Sequence, residues 1–375
     1  MGSMIDWGTA VQTGSRLVRP GPQIPAEEAK AVVAELKELS ALAQVHVREF
    51  TRMDVPPEPQ PATVVDRPGW IKANVDGFRV VLEPLMDRLS KKRPGSGATG
   101  LVVDMVGSRV TGVQMGAILA YMASRVLGQY ELFLPPDPSG RAPAGRLTLV
   151  APNIVATEQE LGVDPRDFRL WVCLHEETHR AQFTGVPWLR GYVQDQMTRF
   201  LLASDISPSD MLDRLKDAAE AVADAVRGGD STLIDAIQTP EQREILDRLT
   251  AVMTLVEGHG DFVMDAVGPE VVPSVADIRS KFNHRRGGGS RLDKTIRRLL
   301  GIDLKMKQYA EGSRFVRRVH AEVGMDGFNK VWRSPATLPT MDEIADPSKW
   351  IARVAAPPAV EGEVLSLEKP SGTES

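Results

Sequence analysis

His175-Glu176-Glu177-Thr178-His179 matches the pattern H-E-x-x-H and lies inside a stretch that predicts a helix. On a helix, residues four positions apart lie one above the other, so both imidazoles can reach a single metal ion. Glu176 projects from a neighbouring angle and can hold a water molecule on that ion. Because the chain has only six histidines, we interpret the pattern as a metal site. The alternative is a buried helix whose histidines form ordinary hydrogen bonds.

The residues around this motif predict where its helix begins and ends. Asp164-Pro165-Arg166-Asp167 supplies a capping side chain, a proline at the first position and an acid in the first turn. Gly185 and Pro187 predict the end of the segment. An apolar stripe at helical spacing leads into both histidines: Phe168, Trp171, Val172, His175 and His179. Histidines on an interior face need partners, and one metal ion would serve both.

A catalytic zinc ion takes three protein ligands, and Glu257 is the best candidate for the third. Thr239-Pro240-Glu241-Gln242 predicts the start of the helix that carries it. Glu257 shares a face of this helix with Leu246, Leu249, Met253 and Met264. A carboxylate on an apolar face is costly to bury unless it meets a cation. The alternative is a solvated helix face with an incidental glutamate.

The neighbours of Glu257 give further expectations. Asp261 lies one turn beyond it and is expected to orient a ligating histidine through a hydrogen bond. His259 points away from Glu257 on the same helix, so it is a weaker ligand candidate that could still donate a hydrogen bond in the cleft. Gly258 and Gly260 are poor helix formers, and they predict that another backbone packs very close here.

The two motifs together resemble those of the gluzincins, the thermolysin-like division of the zincins, in which H-E-x-x-H is followed by E-x-x-x-D on a second helix. From about Trp70 to about Trp350 the chain is similar to the zincin-like metallopeptidases of actinobacteria, a family linked to deazaflavin-coenzyme biosynthesis. His259, between Glu257 and Asp261, is not required by the thermolysin-like motif. The long separation of the motifs also implies an inserted helical segment.

This resemblance implies a function for each matching residue. One zinc ion per chain would be the cofactor, with His175, His179 and Glu257 as its ligands. Glu176 would be the general base, and Asp261 would orient a metal ligand through a hydrogen bond. The expected reaction is hydrolysis by a zinc-activated water, with Glu176 passing the proton to the leaving amine. Sequence alone does not identify the donor that stabilises the oxyanion, and Tyr309 and His259 are the two candidates.

Composition sets the outer bounds. The chain has 375 residues, of which 42% are hydrophobic and 25% charged, and these shares are typical of a globular protein with a large core. Neither half concentrates Lys and Arg, which argues against nucleic acid as a partner. The single cysteine, Cys173, excludes a disulfide scaffold and fits a reducing compartment. Cys173 lies on a different helix face from His175, and we predict that it is a core residue.

The termini and one apolar run bear on localisation. Met1-Gly2-Ser3 before Met4 is typical of an expression scar, and no secretory signal is recognisable. Residues 110–124 form an uncharged run, shorter than the ~20 apolar residues that a membrane span requires. Gly107, Gly112 and Gly116 favour a buried helix in close contact with its neighbours. We therefore expect a cytoplasmic protein with no membrane partner.

The predicted fold is mainly α (α+β), with a zincin-like core, a small β element upstream of the H-E-x-x-H helix and a large helical surround. The strand patterns are residues 130–134 and 146–151, joined by a turn-rich connector. In zincins an upstream strand commonly borders the cleft and pairs with an extended substrate, and residues 147–151 are our candidate. The predicted helices are 26–42, 70–89, 106–127, 189–203, 208–227, 271–286, 292–300, 304–323 and 340–354.

For domain organisation, we predict an N-terminal segment with the scar (1–24), a single catalytic unit (25–355) and a disordered tail (356–375). Within the unit, residues 25–128 form a helical part, 129–270 the metal-binding core and 271–355 a second helical part. The segments 189–203 and 208–227 are expected to form a cover or a side wall. Gly287-Gly288-Gly289-Ser290 predicts a loop, because a phosphate-binding loop needs a preceding strand.

Three classes of function stay open at this point. The first is a peptidase, the second is a zinc amidohydrolase that acts on a small metabolite, and the third is a non-catalytic binding protein. The presence of Glu176 argues against the third class, since a binding protein has no need of a base. A long groove would favour a peptide substrate and a closed pocket a small amide. The chain has no G-x-S-x-G elbow, dinucleotide-binding motif or Walker loop.

Overall fold

Helices make up most of the computed structural model, which describes residues 5–56, 61–91, 98–140, 145–202, 240–287 and 302–355. In chain order the long helices are α1 (Trp7–Leu17), α2 (Ala26–Thr51), α3 (Arg67–Lys91), α4 (Ala98–Ala123), α5 (Ala151–Leu161), α6 (Pro165–Gly185), α7 (Pro187–Leu202), α8 (Pro240–Ala266), α9 (Val275–Gly287) and α10 (Ile302–Phe328). Short helices α11 (Met341–Ala345) and α12 (Pro347–Trp350) follow, with single turns at Asn329–Trp332, Pro335–Thr337 and Ile351–Ala355. The strands are β1 (Thr63–Val65), β2 (Gly128–Glu131) and β3 (Arg146–Val150).

Helix α6, which carries the H-E-x-x-H motif, has the predicted boundaries. The Asp164 side chain accepts a hydrogen bond from the Asp167 backbone N–H at 2.9 Å, so it caps the first turn. Pro165 occupies the first turn, where its missing N–H costs nothing. The helix ends at Gly185, and α7 begins at Pro187. A capping side chain therefore determines the start of this helix, and Pro187, which disfavours helical geometry in the residue before it, determines its end.

The small sheet has the strand order β1-β3-β2, which corrects one expectation. β3 pairs with β1 in parallel, with Thr63 opposite Thr148, and with β2 in the antiparallel sense, with Gln129 opposite Thr148. Residues 147–150 therefore form the middle strand, whose two edges are already paired. They cannot pair with an extended substrate as the sequence analysis expected. Among the strands that the structure describes, β2 is the edge strand that contacts α6 most.

The main hydrophobic core lies between α2, α6, α8 and α10, so the predicted metal-binding helices are central to the fold. Cys173 is fully buried in this core, as predicted, and burial raises the pKa of its thiol well above the usual value. A second, smaller cluster joins α1, α3 and α4 around Trp70 and Ile71. The predicted mainly α fold with a small sheet is thereby confirmed.

Helix α4 is less enclosed than predicted. Gly112 and Gly116 lie against the backbone of α1, where a Cβ would overlap carbonyl oxygens, so the expected close contact is present on this face. The opposite face is open, since Val110 is 51% and Val113 47% exposed. The helix is thus buried on one side only. None of the helices in the described ranges is long and apolar enough to cross a membrane.

Helix α5 was not predicted from the sequence, because its first residues look like a continuation of β3. The run from Arg146 to Val155 is rich in β-branched residues, yet the strand ends at Val150 and Pro152 stands in the first turn of the helix. Gly162 ends α5 in the left-handed conformation, with φ of 58°. Some predicted regions lie outside the described residues. They are the helices 208–227 and 292–300, most of the glycine-rich loop and the tail, residues 356–375.

Candidate metal centre

Three side chains from α6 and α8 converge on one point. His175 Nε2 and His179 Nε2 lie 3.1 Å apart, and Glu257 Oε2 lies 3.5 Å from the first nitrogen and 3.4 Å from the second. All three side chains are largely buried. The helical spacing of His175 and His179 explains why they meet, whereas Glu257 reaches them only because α8 packs across α6.

The dimensions of this triangle fit a tetrahedral metal ion. Zinc binds nitrogen and carboxylate oxygen at about 2.0–2.2 Å, so two ligands at the tetrahedral angle are about 3.3 Å apart. The three measured separations, 3.1 to 3.5 Å, bracket that value. Within the part of the chain that the structure describes, these residues form the only group of this kind that could hold a metal.

The charges within the triangle also favour a cation. Although burial alone would raise it, the two imidazoles hold the pKa of Glu257 well below its usual range. Burial by itself would lower the pKa of His179, but the Glu257 carboxylate raises it to about 9. The carboxylate is thus a stable anion that attracts positive charge. A proton on His179 or a metal ion can supply that charge, and the two compete for the same nitrogen.

Glu176 is buried beside this triangle under the edge of the sheet. Its side chain is 6% exposed and lies against Gly128, the first residue of β2. A Cβ at Gly128 would lie 2.6 Å from Glu176 Cδ and 2.8 Å from Oε1, so only glycine leaves room for the carboxyl group. Burial raises the pKa of Glu176, which is the direction that suits a general base acting near neutral pH. Sequence analysis did not single out Gly128.

Two glycines let α8 approach closely, and both stand next to Glu257. At Gly258 a Cβ would overlap the backbone of Gly312 and Ser313 in α10, which confirms the predicted backbone contact. At Gly260 the neighbours are the imidazoles themselves, since a Cβ would lie 3.0 Å from His175 Cε1 and Nδ1. Gly260 therefore allows the ligand helices to pack at the distance that the triangle requires.

Asp261 does not orient a histidine as predicted. Arg279 in α9 donates hydrogen bonds to Asp261 Oδ1 at 2.8 Å and to Asp265 Oδ1 at 2.9 Å, while its guanidinium lies 4.9 Å from the centre of the Trp171 ring. In the described ranges no hydrogen bond joins Asp261 to His175 or His179. Its carboxylate instead connects α8 to α9 through the hydrogen bond from Arg279.

Gln182 is the residue that holds His179. Its Oε1 lies 3.0 Å from His179 Nδ1, and its side chain is fully buried. Sequence analysis missed this residue, although a signal was present. Gln182 lies seven positions after His175, so it continues the stripe that carries the two histidines, and a buried amide on that stripe needs hydrogen-bond partners.

His259 is fully buried between Gln182 and two aromatic rings. Gln182 Nε2 lies 3.1 Å from its Nδ1, and its ring centre lies 5.0 Å from that of Phe328 and 5.7 Å from that of Trp332. Burial lowers the pKa of His259 to about 3, so the ring is neutral. This position does not fit the expected contact with a metal or an oxyanion. Tyr309, the other donor candidate, is in α10, but its side chain lies outside the described residues.

Comparison with known proteins identifies the family of this chain. A family model described as "Zincin-like metallopeptidase" matches residues 5–351 of the chain. A solved structure described as "a putative hydrolase with a novel fold from Chloroflexus aurantiacus" is 32% identical, with a TM-score of 0.65 over 93% of this chain and 98% of the other. A search of curated proteins finds no match. The extent of the family match shows that the chain belongs to the zincin-like metallopeptidase family.

Proposed function

We propose that this chain is a zinc-dependent hydrolase, and specifically a metallopeptidase. The observation that carries the proposal is the convergence of His175 Nε2, His179 Nε2 and Glu257 Oε2 within 3.5 Å of one another. Family membership supports it, because zincin-like metallopeptidases are expected to use a bound metal for hydrolysis. The buried carboxyl group of Glu176 beside the three ligands supplies the general base that such a site needs.

The donor set favours zinc over other divalent ions. Two imidazole nitrogens and one carboxylate oxygen are the ligands of many catalytic zinc sites. Magnesium and calcium prefer sites built entirely of oxygen, and thiolate-rich sites select softer metals. His175, His179 and Glu257 would hold the ion, and such three-ligand zinc sites leave a position for water or substrate.

Each residue then has a defined task in the reaction. When bound, zinc lowers the pKa of a coordinated water from ~15.7 towards ~7 and polarises the scissile carbonyl. Glu176 accepts the proton of the attacking water and passes it to the amide nitrogen as the carbon–nitrogen bond breaks. The raised pKa of Glu176 helps the first of these transfers, because a stronger base takes the proton of the water more readily.

A peptide is the proposed substrate because of the position of β2. This strand lies at the edge of the sheet, and its first residue, Gly128, contacts the proposed general base. An extended peptide can pair with such an edge through backbone hydrogen bonds. The backbone carbonyl groups of the peptide then lie along β2. In this arrangement β2 takes the role that the sequence analysis gave to residues 147–151.

Metal analysis combined with a cleavage assay tests the proposal. We expect one equivalent of zinc in the purified protein and cleavage of members of a peptide library, with both lost after chelation and restored by zinc. A folded protein that binds no zinc after supplementation would overturn the hydrolase proposal. A panel of small acylated amides should be run in parallel. Zinc-dependent turnover of those amides alone would contradict the peptidase assignment and favour an amidohydrolase.

The contact between Gly128 and Glu176 gives a further prediction. Gly128→Ala should lower kcat by about 100-fold, because the added methyl group displaces the carboxyl group by the order of 1 Å. Zinc content should not change, since the three atoms nearest to the added methyl group all belong to Glu176, which is not one of the proposed ligands. Steady-state kinetics and metal analysis measure both quantities. Gly191→Ala in α7 is the matched control, since its Cβ would meet nothing within 4 Å. Wild-type kcat in Gly128→Ala would show that the general base does not depend on this contact.

A further inference from the structure

The Gln182 side chain connects three groups around the metal centre. Its Oε1 lies 3.0 Å from His179 Nδ1, and its Nε2 lies 2.9 Å from the Val256 carbonyl oxygen and 3.1 Å from His259 Nδ1. Val256 and His259 stand on either side of Glu257 in α8. Gln182 is in α6, so this one amide joins the two helices that carry the proposed ligands.

The Val256 carbonyl determines how the amide is oriented. A backbone carbonyl oxygen can only accept a hydrogen bond, so the Gln182 nitrogen must face it. The Gln182 oxygen then faces His179 Nδ1, and that ring nitrogen must carry the proton. A neutral His179 therefore has its lone pair on Nε2. This is the nitrogen that lies 3.4 Å from Glu257 Oε2.

The second hydrogen of the amide determines the state of His259. Gln182 Nε2 donates one hydrogen to Val256 and has one left for His259 Nδ1, which must accept it. The proton of His259 is therefore on Nε2, which is buried without a hydrogen-bond partner in the described residues. The rings of Phe328 and Trp332 lie close to it and can interact weakly with an N–H group. A charged His259 would donate from Nδ1 and oppose the amide.

We propose that Gln182 is a positioning residue that fixes the tautomer of His179, with His259 holding the amide in place. The hydrogen-bond chain runs from His259 through Gln182 to His179 and presents the Nε2 lone pair to the metal. This inference rests on the proposed zinc site for its functional meaning. The tautomer of His259, however, can be observed without zinc or substrate.

The first experiment is ¹⁵N NMR of the histidine-labelled full chain, with and without zinc. We expect His259 to be neutral with its proton on Nε2 in both samples, and His179 to carry its proton on Nδ1 in the zinc-loaded sample. The His259→Phe spectrum assigns the His259 signals by their loss. A charged His259, or one protonated on Nδ1, would overturn the inference. Failure to bind zinc would overturn the proposed function and leave the His259 result readable.

Two variants of Gln182 separate positioning from packing. Gln182→Leu removes the acceptor for His179, and the zinc dissociation constant should rise by 10- to 100-fold, as for other partners of metal ligands. Gln182→Glu keeps an acceptor for His179 and offers one to His259, but it loses the donor to the Val256 carbonyl. Zinc affinity should therefore be only partly restored, and the His259 proton should move to Nδ1. Competition with a chelating dye measures the affinity, and NMR measures the tautomer.

A buried glutamine elsewhere provides the control. Gln196 in α7 is 5% exposed and accepts a hydrogen bond from Arg248 at 3.1 Å. Gln196→Leu should lower thermal stability and leave zinc affinity unchanged. A purely structural role for Gln182 predicts equal losses in its leucine and glutamate variants, with no change of tautomer at His259, and that outcome would overturn the inference. If either Gln182 variant fails to fold, the wild-type spectra still decide between the tautomers.

Discussion

Replacing Glu176 with glutamine should lower kcat by about 10²- to 10⁴-fold while zinc stays bound. The amide has nearly the same shape as the carboxyl group, so it fits against Gly128 without a cavity or a clash. It cannot accept the proton of the attacking water, and this is the step that the proposed mechanism assigns to Glu176. Stopped-flow or steady-state kinetics on a cleaved peptide measure kcat, and metal analysis of the same sample measures the zinc content.

Glu177, the residue next to Glu176, provides a stringent control for this prediction. Glu177 is buried on the same helix but faces α2, where it accepts a hydrogen bond from Ser40. Its other carboxylate oxygen lies 3.2 Å from Nε of Arg180, which is in α6 as well. Burial raises the pKa of Glu177 to about 7. Glu177→Gln should change thermal stability and leave kcat nearly unchanged. Equal losses of kcat in the two variants would mean that a buried carboxyl group on this helix matters for folding alone, and Glu176 would lose its assigned role.

Replacing Glu257 with glutamine should remove most of the metal affinity. The amide preserves the shape of the side chain but lacks the negative charge that faces His175 and His179 in the structure. We expect the zinc dissociation constant to rise by at least about 100-fold, beyond the range seen for partners of ligands. Added zinc should raise the melting temperature of the wild type and have little effect on the variant, because stabilisation follows the ratio of free metal to its dissociation constant.

Glu244→Gln provides the comparison on the same helix. Glu244 is 71% exposed and pairs with Arg248 at 2.7 Å, an arrangement that contributes little to stability in water. This variant should bind zinc as the wild type does. If Glu257→Gln also retains wild-type affinity, the carboxylate is not a ligand, and the third coordination position must be filled by another group.

The sequence predicts the parts of this site that depend on local chemistry. Asp164 and Pro165 determine the start of α6, and helical spacing alone brings His175 and His179 together. Glu257 could be selected because an acid on an apolar helix face needs a partner. These inferences need only a few neighbouring residues, and helix capping and periodicity are properties of such short stretches.

Features that depend on distant contacts escaped prediction. The central position of β3 results from pairing with residues 63–65, more than 80 positions earlier in the chain, and no local pattern specifies that pairing. Asp261 pairs with Arg279 because α9 packs behind α8, so its partner could not be read from the E-x-x-x-D spacing. The same holds for Gln182, whose partners Val256 and His259 lie on another helix.

The glycine contact between α8 and α10 limits how this protein can be engineered. Exchanging helix glycines for alanine is a common route to greater thermal stability, because it restricts the unfolded chain. At Gly258 and Gly312 that exchange would force the two helices apart, since each added methyl group would overlap the opposite backbone. Glu257 directly precedes Gly258, so its carboxylate would be drawn away from the imidazoles. Stabilising designs should therefore leave this pair untouched and begin at Gly191, which has open space around it.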